Sequence, residues 1–494
     1  MIFAPRSRRV ATAVGILIVA AVVLALPTPS GRIAAAPAGA GSFRWDRDAY
    51  WSALQSRFVE RAGSGCHSLA PDIDRLRRVV DAGLASLTAT TPPDAPVLDT
   101  IEHAFFELGS FVAACPDTVQ GYEALQARLR TAAKHRSRDW DMTTTQARSR
   151  IYRLLYGSRA ALEEVMLHHP DHAADLLAGT AEPSATPSTV VEGIRIHSGD
   201  MLVSRGGYPT SALIARGSDF PGNFSHVALV HVDSSGAAST IEAHIERGVA
   251  ISTATEYLQD KKRRILVLRP RADLPALAAD PMLPHRAASR MLARARTERI
   301  PYDFTMDYED PGRLFCSEVA SAAYRDEGIT LWTGLSTISA PGLRRWLASF
   351  GVRHFETQEP SDLEYDPQLV VVAEWRDAET LAADHIDNAV IDAMLEGAER
   401  GDALGYRWYR LPPARLAKAY SWVRNRAGSV GPVPEGMAAT AALRNEAFSA
   451  RQRALAADVT ARAAAWQSEH DYPPPYWTLL ELAREAVAAE GPRS

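Results

Sequence analysis

The sequence predicts an α+β protein in which a domain with an antiparallel sheet lies between two helical regions. Apolar residues recur at spacings of three and four from about residue 42 to 178, and the chain is helical again from about residue 377. Between these regions, short apolar segments are bounded by glycine, serine and aspartate clusters, a pattern typical of strands. Because helical segments flank these strands, we expect them to form one compact α+β domain.

The first forty residues have the layout of a secretory signal. Three arginines precede an uncharged apolar run over residues 10–27, and residues 38–40 (AGA) match the small-residue pattern before a cleavage site. We expect residues 1–40 to be either a signal peptide, with Gly41 as the first mature residue, or an N-terminal membrane anchor. Both alternatives predict export to the periplasm or cell envelope.

Residues 41–185 are predicted to form a helical N-terminal domain. Its helical segments are YWSALQSRFVERA, DIDRLRRVVDAGLASL, VLDTIEHAFFELGSFVAA and QGYEALQARLRTAAKH. The stretch GTAEPSATPSTVVEG, residues 179–193, is rich in Pro, Ser and Thr and is predicted to be a linker.

Residues 186–376 contain the strands. The strand segments are DMLVSR, SHVALVHV, STIEAHIE, VAIST, RILVLRP and, late in the chain, QLVVVAEW. Three helical segments accompany them, PHRAASRMLARARTER, CSEVASAAYRDEG and PGLRRWLASF. Residues 377–494 are predicted to form a helical C-terminal region.

One segment of the C-terminal region, residues 401–428, mixes aromatic residues with arginines. Packing of a helical pair explains this mixture, and so does an amphipathic face for lipid or glycan. The formal net charge of −5 argues against a nucleic-acid partner. No zinc signature such as HExxH occurs, and we expect neither a metal nor another cofactor.

The chain contains three cysteines, an odd number for an exported protein. Cys66 and Cys115 lie in one helical region and are the candidate disulfide pair. This leaves Cys316, either as a buried inert cysteine or as a reactive thiol. The turn residues DPGRLF precede it and a helical segment follows, so its thiol lies at or near a helix N-terminus, where a thiolate is stabilised.

His226 is the candidate base, because it opens a strand immediately after the loop DFPGNF. The turn DSSG (233–236) predicts a hairpin with the next strand, and its register decides which residue faces the imidazole. If the numbers of paired residues sum to 468, His226 faces Glu242; if they sum to 470, it faces His244. On its own, His226 also fits a structural core histidine.

An ordered set of segments carries a resemblance to a known family. Taken together they resemble the permuted branch of the NlpC/P60 papain-like superfamily, and most closely the YiiX/YebB-like group of cysteine hydrolases. In that branch the histidine strand precedes the cysteine helix, as it does here. The segments, within roughly residues 195–375, are GDMLVSRG (199–206), FSHVALV (224–230), TIEAHIERGVAI (240–251), ILVLRP (265–270), PYDF (301–304) and FCSEVASAAY (315–324).

The resemblance implies a Cys-His-Glu triad with Cys316 as nucleophile, His226 as general base and Glu242 as third member. This assignment agrees with the register that sums to 468. Further residues that match the family pattern or lie beside it are expected to line the site, namely Tyr302, His244 and Ser317. Two aspartates are expected to anchor a turn and a loop, namely Asp200 and Asp303.

We therefore expect a permuted papain-like enzyme that cleaves an amide bond, with a cell-wall peptide or amide as substrate. The permuted branch also resembles lecithin:retinol acyltransferase-like enzymes, so a lipid acyl substrate is the first alternative, cleaved at an amide or ester or passed on by acyl transfer. A non-catalytic envelope-binding scaffold is the second. The helical flanks are not part of the familiar small enzyme, and they leave the substrate open.

Overall fold

The computed structural model describes residues 24–26, 33, 35–36, 40–45, 47–427 and 429–491. Most of the predicted signal or anchor segment therefore lies outside the described residues. Within the part of the chain that is described, no helix is both long and apolar enough to cross a membrane.

The N-terminal region folds into helices that share one core of aliphatic and aromatic side chains. The helices are α1 (Asp48–Arg61), α2 (Cys66–Ser86), α3 (Pro96–Val112), α4 (Val119–Arg136), α5 (Thr145–Tyr152) and α6 (Ser158–His168), with a π-helical turn, Arg153–Gly157, joining the last two. A disulfide joins Cys66, at the start of α2, to Cys115, just beyond α3. It joins the start of α2 to the segment after α3, and these two helices pack against each other in this core.

A seven-stranded antiparallel sheet forms the centre of the molecule. Its strands are β1 (Leu176–Ala178), β4 (Met201–Gly206), β5 (His226–Val232), β6 (Ala238–His244), β7 (Gly248–Thr253), β8 (Lys262–Pro270) and β11 (Leu369–Trp375). They lie in the order β1-β11-β8-β4-β5-β6-β7. The strand β1 comes from the end of the N-terminal region and forms one edge beside β11.

The predicted linker, residues 179–193, is partly a strand. Ser188–Val191 (β2) pairs with Ile194–His197 (β3) in a separate two-stranded sheet. Glu192 and Gly193 both have positive φ, 47° and 79°, which is the backbone of a tight hairpin turn. The richness of the stretch in Pro, Ser and Thr indicated a linker and did not reveal this turn. The linker prediction is therefore wrong for its last residues.

Further helices pack against the sheet. The helices of this region are α7 (Pro209–Arg216), α8 (Ala254–Gln259), α9 (Pro275–Ala279), α10 (Leu283–Thr297), α11 (Cys316–Arg325) and α12 (Pro341–Phe350), with a two-stranded sheet of β9 (Ser336–Thr337) and β10 (Glu356–Thr357). Val227 and Leu229 of β5 pack with Val319 and Ala320 of α11 in one core, because alternate residues of a strand face the same side. This packing fixes the start of α11 near the start of β5.

The C-terminal region is helical, as predicted. Its helices are α13 (Ala378–Arg400), α14 (Leu411–Arg426), α15 (Ala439–His470) and α16 (Tyr476–Ala489). Apolar side chains of α13, α15 and α16 share a core with α7 and α12 of the sheet region.

A buried ionic cluster connects all three regions. Glu163 of α6 accepts hydrogen bonds from Arg264 of β8 at 2.5 Å and from His385 of α13 at 3.0 Å. Arg264 also contacts Asp384 of α13 at 2.7 Å. These charges are buried, and each has an opposite charge or a hydrogen bond as a partner, which is the condition for burying charge.

Candidate active site

The hairpin of β5 and β6 has the register that sums to 470. Ala228 pairs with Glu242, and the last pair before the loop is Val232 with Ala238. The loop spans 233–237, where the Asp233 carboxylate accepts hydrogen bonds from the backbone N–H groups of Ser235 and Ala237. The turn is thus longer than the sequence motif suggested, and the register that sums to 468 is wrong.

Glu242 nevertheless contacts His226, because it lies diagonally across the strand pair on the same face. The Nε2 atom of His226 lies 2.7 Å from Oε2 of Glu242. His244, which the register would place opposite His226, lies beside the same carboxylate, with Nε2 3.6 Å from Oε1. Glu242 therefore lies between two imidazoles and contacts both.

The surroundings of Glu242 keep it ionised. Burial alone would raise the pKa of this carboxyl, but the hydrogen bonds from His226 and His244 outweigh burial and hold the pKa well below its usual range. The Thr240 hydroxyl donates a further hydrogen bond at 3.4 Å. A charged Glu242 accepts the Nε2–H of a neutral His226, which leaves Nδ1 as the basic nitrogen of that ring.

His226 is neutral at physiological pH. Burial lowers the pKa of its imidazole below the ordinary 6.5, against the opposing effect of the hydrogen bond to Glu242. Its side chain remains 20% exposed, so the ring borders solvent. This combination of an oriented ring and a neutral state is what a general base requires.

Helix α11 begins at Cys316, as the sequence predicts, and the thiol is buried with 4% of the residue exposed. The Sγ atom donates to the carbonyl oxygen of Ser225 at 3.8 Å, and Ser225 directly precedes His226. The thiol therefore contacts the backbone that leads into β5, one residue before His226. Among the described residues, the Sγ atom has no hydrogen bond to His226, although the sequence analysis expected this pair.

The thiol is not activated by the helix N-terminus. Burial, followed by the nearby carboxyl group of Glu359, raises the pKa of Cys316 to about 12. The Ser317 hydroxyl and the backbone N–H groups of Val227 and Ser317 lower the pKa of the thiol, but burial outweighs them. The expectation of a stabilised thiolate is therefore wrong for this state, because desolvation exceeds the effect of the helix end.

Tyr302 and Ser317 lie near the thiol. Burial and the neighbouring Cys316 raise the pKa of the Tyr302 hydroxyl well above 10, and the Tyr302 ring packs edge-on against Phe304. Ser317 is fully buried in the first turn of α11. The carboxyl group of Glu318, whose pKa burial raises to about 8, accepts a hydrogen bond from the Phe315 N–H at 2.8 Å, which stabilises the helix start.

Glu359 is the residue of this site that the sequence analysis missed. Its side chain is buried, and its Oε2 atom has no hydrogen-bond partner among the residues that the structure describes. Burial raises its pKa well above the usual range. Its backbone carbonyl accepts a hydrogen bond from the Trp332 indole at 2.9 Å, which fixes the segment. It lies in QEPSDLEY, far from the cysteine motif, and no local pattern marks it.

Asp200 and Asp303 have structural roles, as predicted. Asp200 forms a two-point ion pair with Arg269, 2.8 Å at each oxygen, and accepts the His197 N–H. Asp303 accepts hydrogen bonds from the N–H groups of Thr305 and Asp307 and so holds the loop before α11. Across the described part of the chain, no group of three or more His, Cys, Asp and Glu side chains could hold a metal ion.

Papain-like thiol hydrolases combine a thiol at a helix start with a histidine oriented by a carboxylate, and this chain has both groups at the start of β5. The comparison with protein families identifies the particular family. Residues 195–373 match the family described as permuted papain-like amidase enzyme, YaeF/YiiX, C92 family. This part of the chain is a domain of that family, and the protein is a thiol-dependent hydrolase of the amidase or peptidase type. No curated protein and no solved structure gave a significant match.

Proposed function

We propose that this protein is an exported cysteine amidase in which Cys316 attacks an amide carbonyl, His226 moves the proton and Glu242 orients His226. The observation that carries this assignment is the 2.7 Å contact between His226 and Glu242, one residue from the backbone carbonyl that binds the Cys316 thiol. The cell-wall peptide remains the proposed substrate, and export is supported by the N-terminal sequence and by the disulfide of Cys66 and Cys115.

The charge states define the first step. Because Cys316 and His226 are both neutral at rest, Nδ1 of His226 takes the thiol proton as the sulfur–carbon bond forms. The imidazolium that results lies beside the Glu242 carboxylate, which stabilises it. The N–H groups of Val227 and Ser317 favour the negative charge that develops on sulfur.

The second half of the reaction uses the same groups. His226 returns its proton to the leaving amine, and the acyl group stays on Cys316 as a thioester. A water molecule, deprotonated by His226, then attacks the thioester and releases the acid with regeneration of the thiol. Since the resting thiol is buried and not bonded to His226, side chains around Cys316 must shift when substrate binds.

Turnover of defined substrates by the full-length protein tests this proposal. The substrates are a soluble cell-wall stem peptide and a long-chain N-acyl amide, and the readout is the amine released. We expect hydrolysis of the peptide, loss of it in Cys316→Ala and His226→Ala, and near-normal rates in His231→Ala. His231 is a matched control, because it lies buried on the same strand and its ring stacks on His285 instead of contacting Glu242.

Other outcomes would redirect the assignment. Cleavage of the N-acyl amide alone, with the same dependence on Cys316, would replace the cell-wall substrate by a lipid. A Cys316→Ala variant as active as the wild type would remove the catalytic role of the thiol and favour the scaffold.

A further inference from the structure

Helix α14 exposes the side chains that a helix normally buries. Of its sixteen residues, Leu411–Arg426, only Leu411 and Ser421 are buried. Leu416, Tyr420 and Val423 follow at spacings of four and three, so they lie on one face, and they are 63%, 54% and 58% exposed. Exposed apolar faces of this kind mark contact sites with a partner or a membrane.

The exposed apolar surface extends beyond this face. Trp408 and Tyr409, in the 3₁₀ turn just before α14, are 71% and 54% exposed, and Trp422 is 53% exposed. We call these residues together with the face of α14 the aromatic surface, which consists of Trp408, Tyr409, Leu416, Tyr420, Trp422 and Val423.

Positive charge surrounds the aromatic surface. Between Asp402 and Glu435 every charged residue is an arginine or lysine, in a chain whose net charge is −5. The Arg426 guanidinium lies 3.5 Å from the centre of the Trp422 ring, and Arg424 lies 5.8 Å from that of Tyr420. Tryptophan and tyrosine beside arginine are typical of protein surfaces at the boundary between lipid headgroups and acyl chains.

Leu26, near the end of the apolar N-terminal run, contacts this helix. The guanidinium of Arg415, on α14, donates a hydrogen bond to the carbonyl oxygen of Leu26, one residue before the end of the run over residues 10–27. Leu26 is itself 55% exposed. A residue of the most apolar segment in the sequence therefore lies beside α14, which favours a lipid partner over other anionic partners.

We infer that the aromatic surface docks on a bilayer containing anionic lipid, with α14 lying in the plane of the interface. Leu416, Tyr420 and Val423 enter the boundary between headgroups and acyl chains, while the arginines contact lipid phosphates. The inference is independent of the proposed amidase activity. It places the protein at a membrane surface through the folded C-terminal region, in addition to any anchor at its N-terminus.

A dye attached at a single introduced cysteine tests this docking directly. Val423→Cys places the dye on the aromatic surface, and Val190→Cys, on β2, is the matched control, since the two valines are 58% and 55% exposed. Labelling is selective because Cys66 and Cys115 form a disulfide and Cys316 is buried. The dye is an environment-sensitive nitrobenzoxadiazole, and the vesicles are phosphatidylcholine with or without phosphatidylglycerol.

We expect a blue shift of the dye emission at position 423 with phosphatidylglycerol vesicles, a smaller one with pure phosphatidylcholine, and none at position 190. Arg424→Glu combined with Arg426→Glu should weaken the response at position 423 by about tenfold or more, since each basic residue near such a surface contributes to binding. No shift at position 423 while the protein floats with the vesicles would overturn the inference. So would an equal shift at both positions, or a response only to RNA or to an anionic wall polymer.

Discussion

At the scale of single residues, the central feature is that Cys316 and His226 are both uncharged at rest. Burial raises the pKa of the thiol to about 12 and lowers that of the imidazole below 6.5. A preformed thiolate–imidazolium pair is therefore absent from this state, and in the proposed mechanism the ion pair forms only as substrate is attacked. The thiol should accordingly react slowly with a simple alkylating reagent and form an adduct with an acyl mimic.

We predict slow alkylation of Cys316 by iodoacetamide at neutral pH. A thiol with a pKa of about 12 carries little thiolate at pH 7, and its rate should still rise with pH above about 8.5, where an ordinary thiol levels off. Peptide mass spectrometry over a range of pH measures this. Fast labelling that levels off below the ordinary thiol pKa would show that the thiolate is already formed.

Removing the charge of Glu242 should slow the enzyme without unfolding it. In Glu242→Gln the imidazolium loses its stabilising partner, and we expect kcat/KM to fall about 10²–10⁴-fold, the range of positioned acid–base groups. Thr240→Val is the control, since its hydroxyl donates only a long hydrogen bond to the same carboxylate. Equal activity of Glu242→Gln and wild type would exclude an orienting role.

The pH dependence of kcat/KM should reflect the protonation of His226. A general base must be neutral, so activity is present above the pKa of His226 and is lost as the pH falls through it. Because burial lowers this pKa, the acidic limb should lie below pH 6.5. In Glu242→Gln it should move lower still, since the hydrogen bond to Glu242 raises the pKa of His226. A shift of the limb to higher pH would contradict this account.

At the scale of elements, the disulfide between Cys66 and Cys115 should stabilise the N-terminal helices. It closes a loop with a sequence separation of 49 residues. Loop-closure entropy then predicts that replacing both cysteines by alanine lowers the free energy of unfolding by about 2–5 kcal/mol. Urea unfolding of the full chain with and without the substitutions measures this. Unchanged stability would mean that the reduced, unfolded chain retains local structure.

Most elements could be predicted because their hydrophobic periodicity is local information. The strands β4, β5, β6, β7, β8 and β11 and the helical flanks formed where the sequence pattern indicated, whereas the short strands β9 and β10 were not predicted. The register of the β5–β6 hairpin could not be predicted, because it depends on the hydrogen bonds of Asp233 within the loop. A change of two in the sum of paired numbers keeps the same side chains on one face, which is why Glu242 still contacts His226.

The chemistry at Cys316 was harder to predict than its position. The helix start follows from turn residues and an amphipathic segment, both visible in the sequence. The burial of the thiol and the approach of Glu359 depend on contacts between residues far apart in the chain. These long-range effects set the pKa of Cys316, and they reverse the expectation from the helix end alone.

At the scale of the whole molecule, the buried charges around Glu163 connect the N-terminal helices, the sheet and α13. Removing the Glu163 carboxylate deprives both Arg264 and His385 of a buried partner, and among the described residues Arg264 keeps only Asp384. We expect Glu163→Ala to lower the free energy of unfolding by about 3–5 kcal/mol. Glu396→Ala, which breaks an exposed pair with Arg484, should cost about 1 kcal/mol or less. Similar losses in thermal unfolding of the two variants would contradict this ranking.

The most direct test of the central claim is covalent capture of the nucleophile by an acyl mimic. A stem-peptide nitrile accepts the sulfur of Cys316 at its carbon, and the thiol proton passes through His226 to the nitrile nitrogen, which gives a thioimidate. Intact-protein mass spectrometry should show one adduct in the wild type and in His231→Ala, and none in Cys316→Ala or His226→Ala. An adduct that forms equally well in His226→Ala would contradict the proposed roles of the pair.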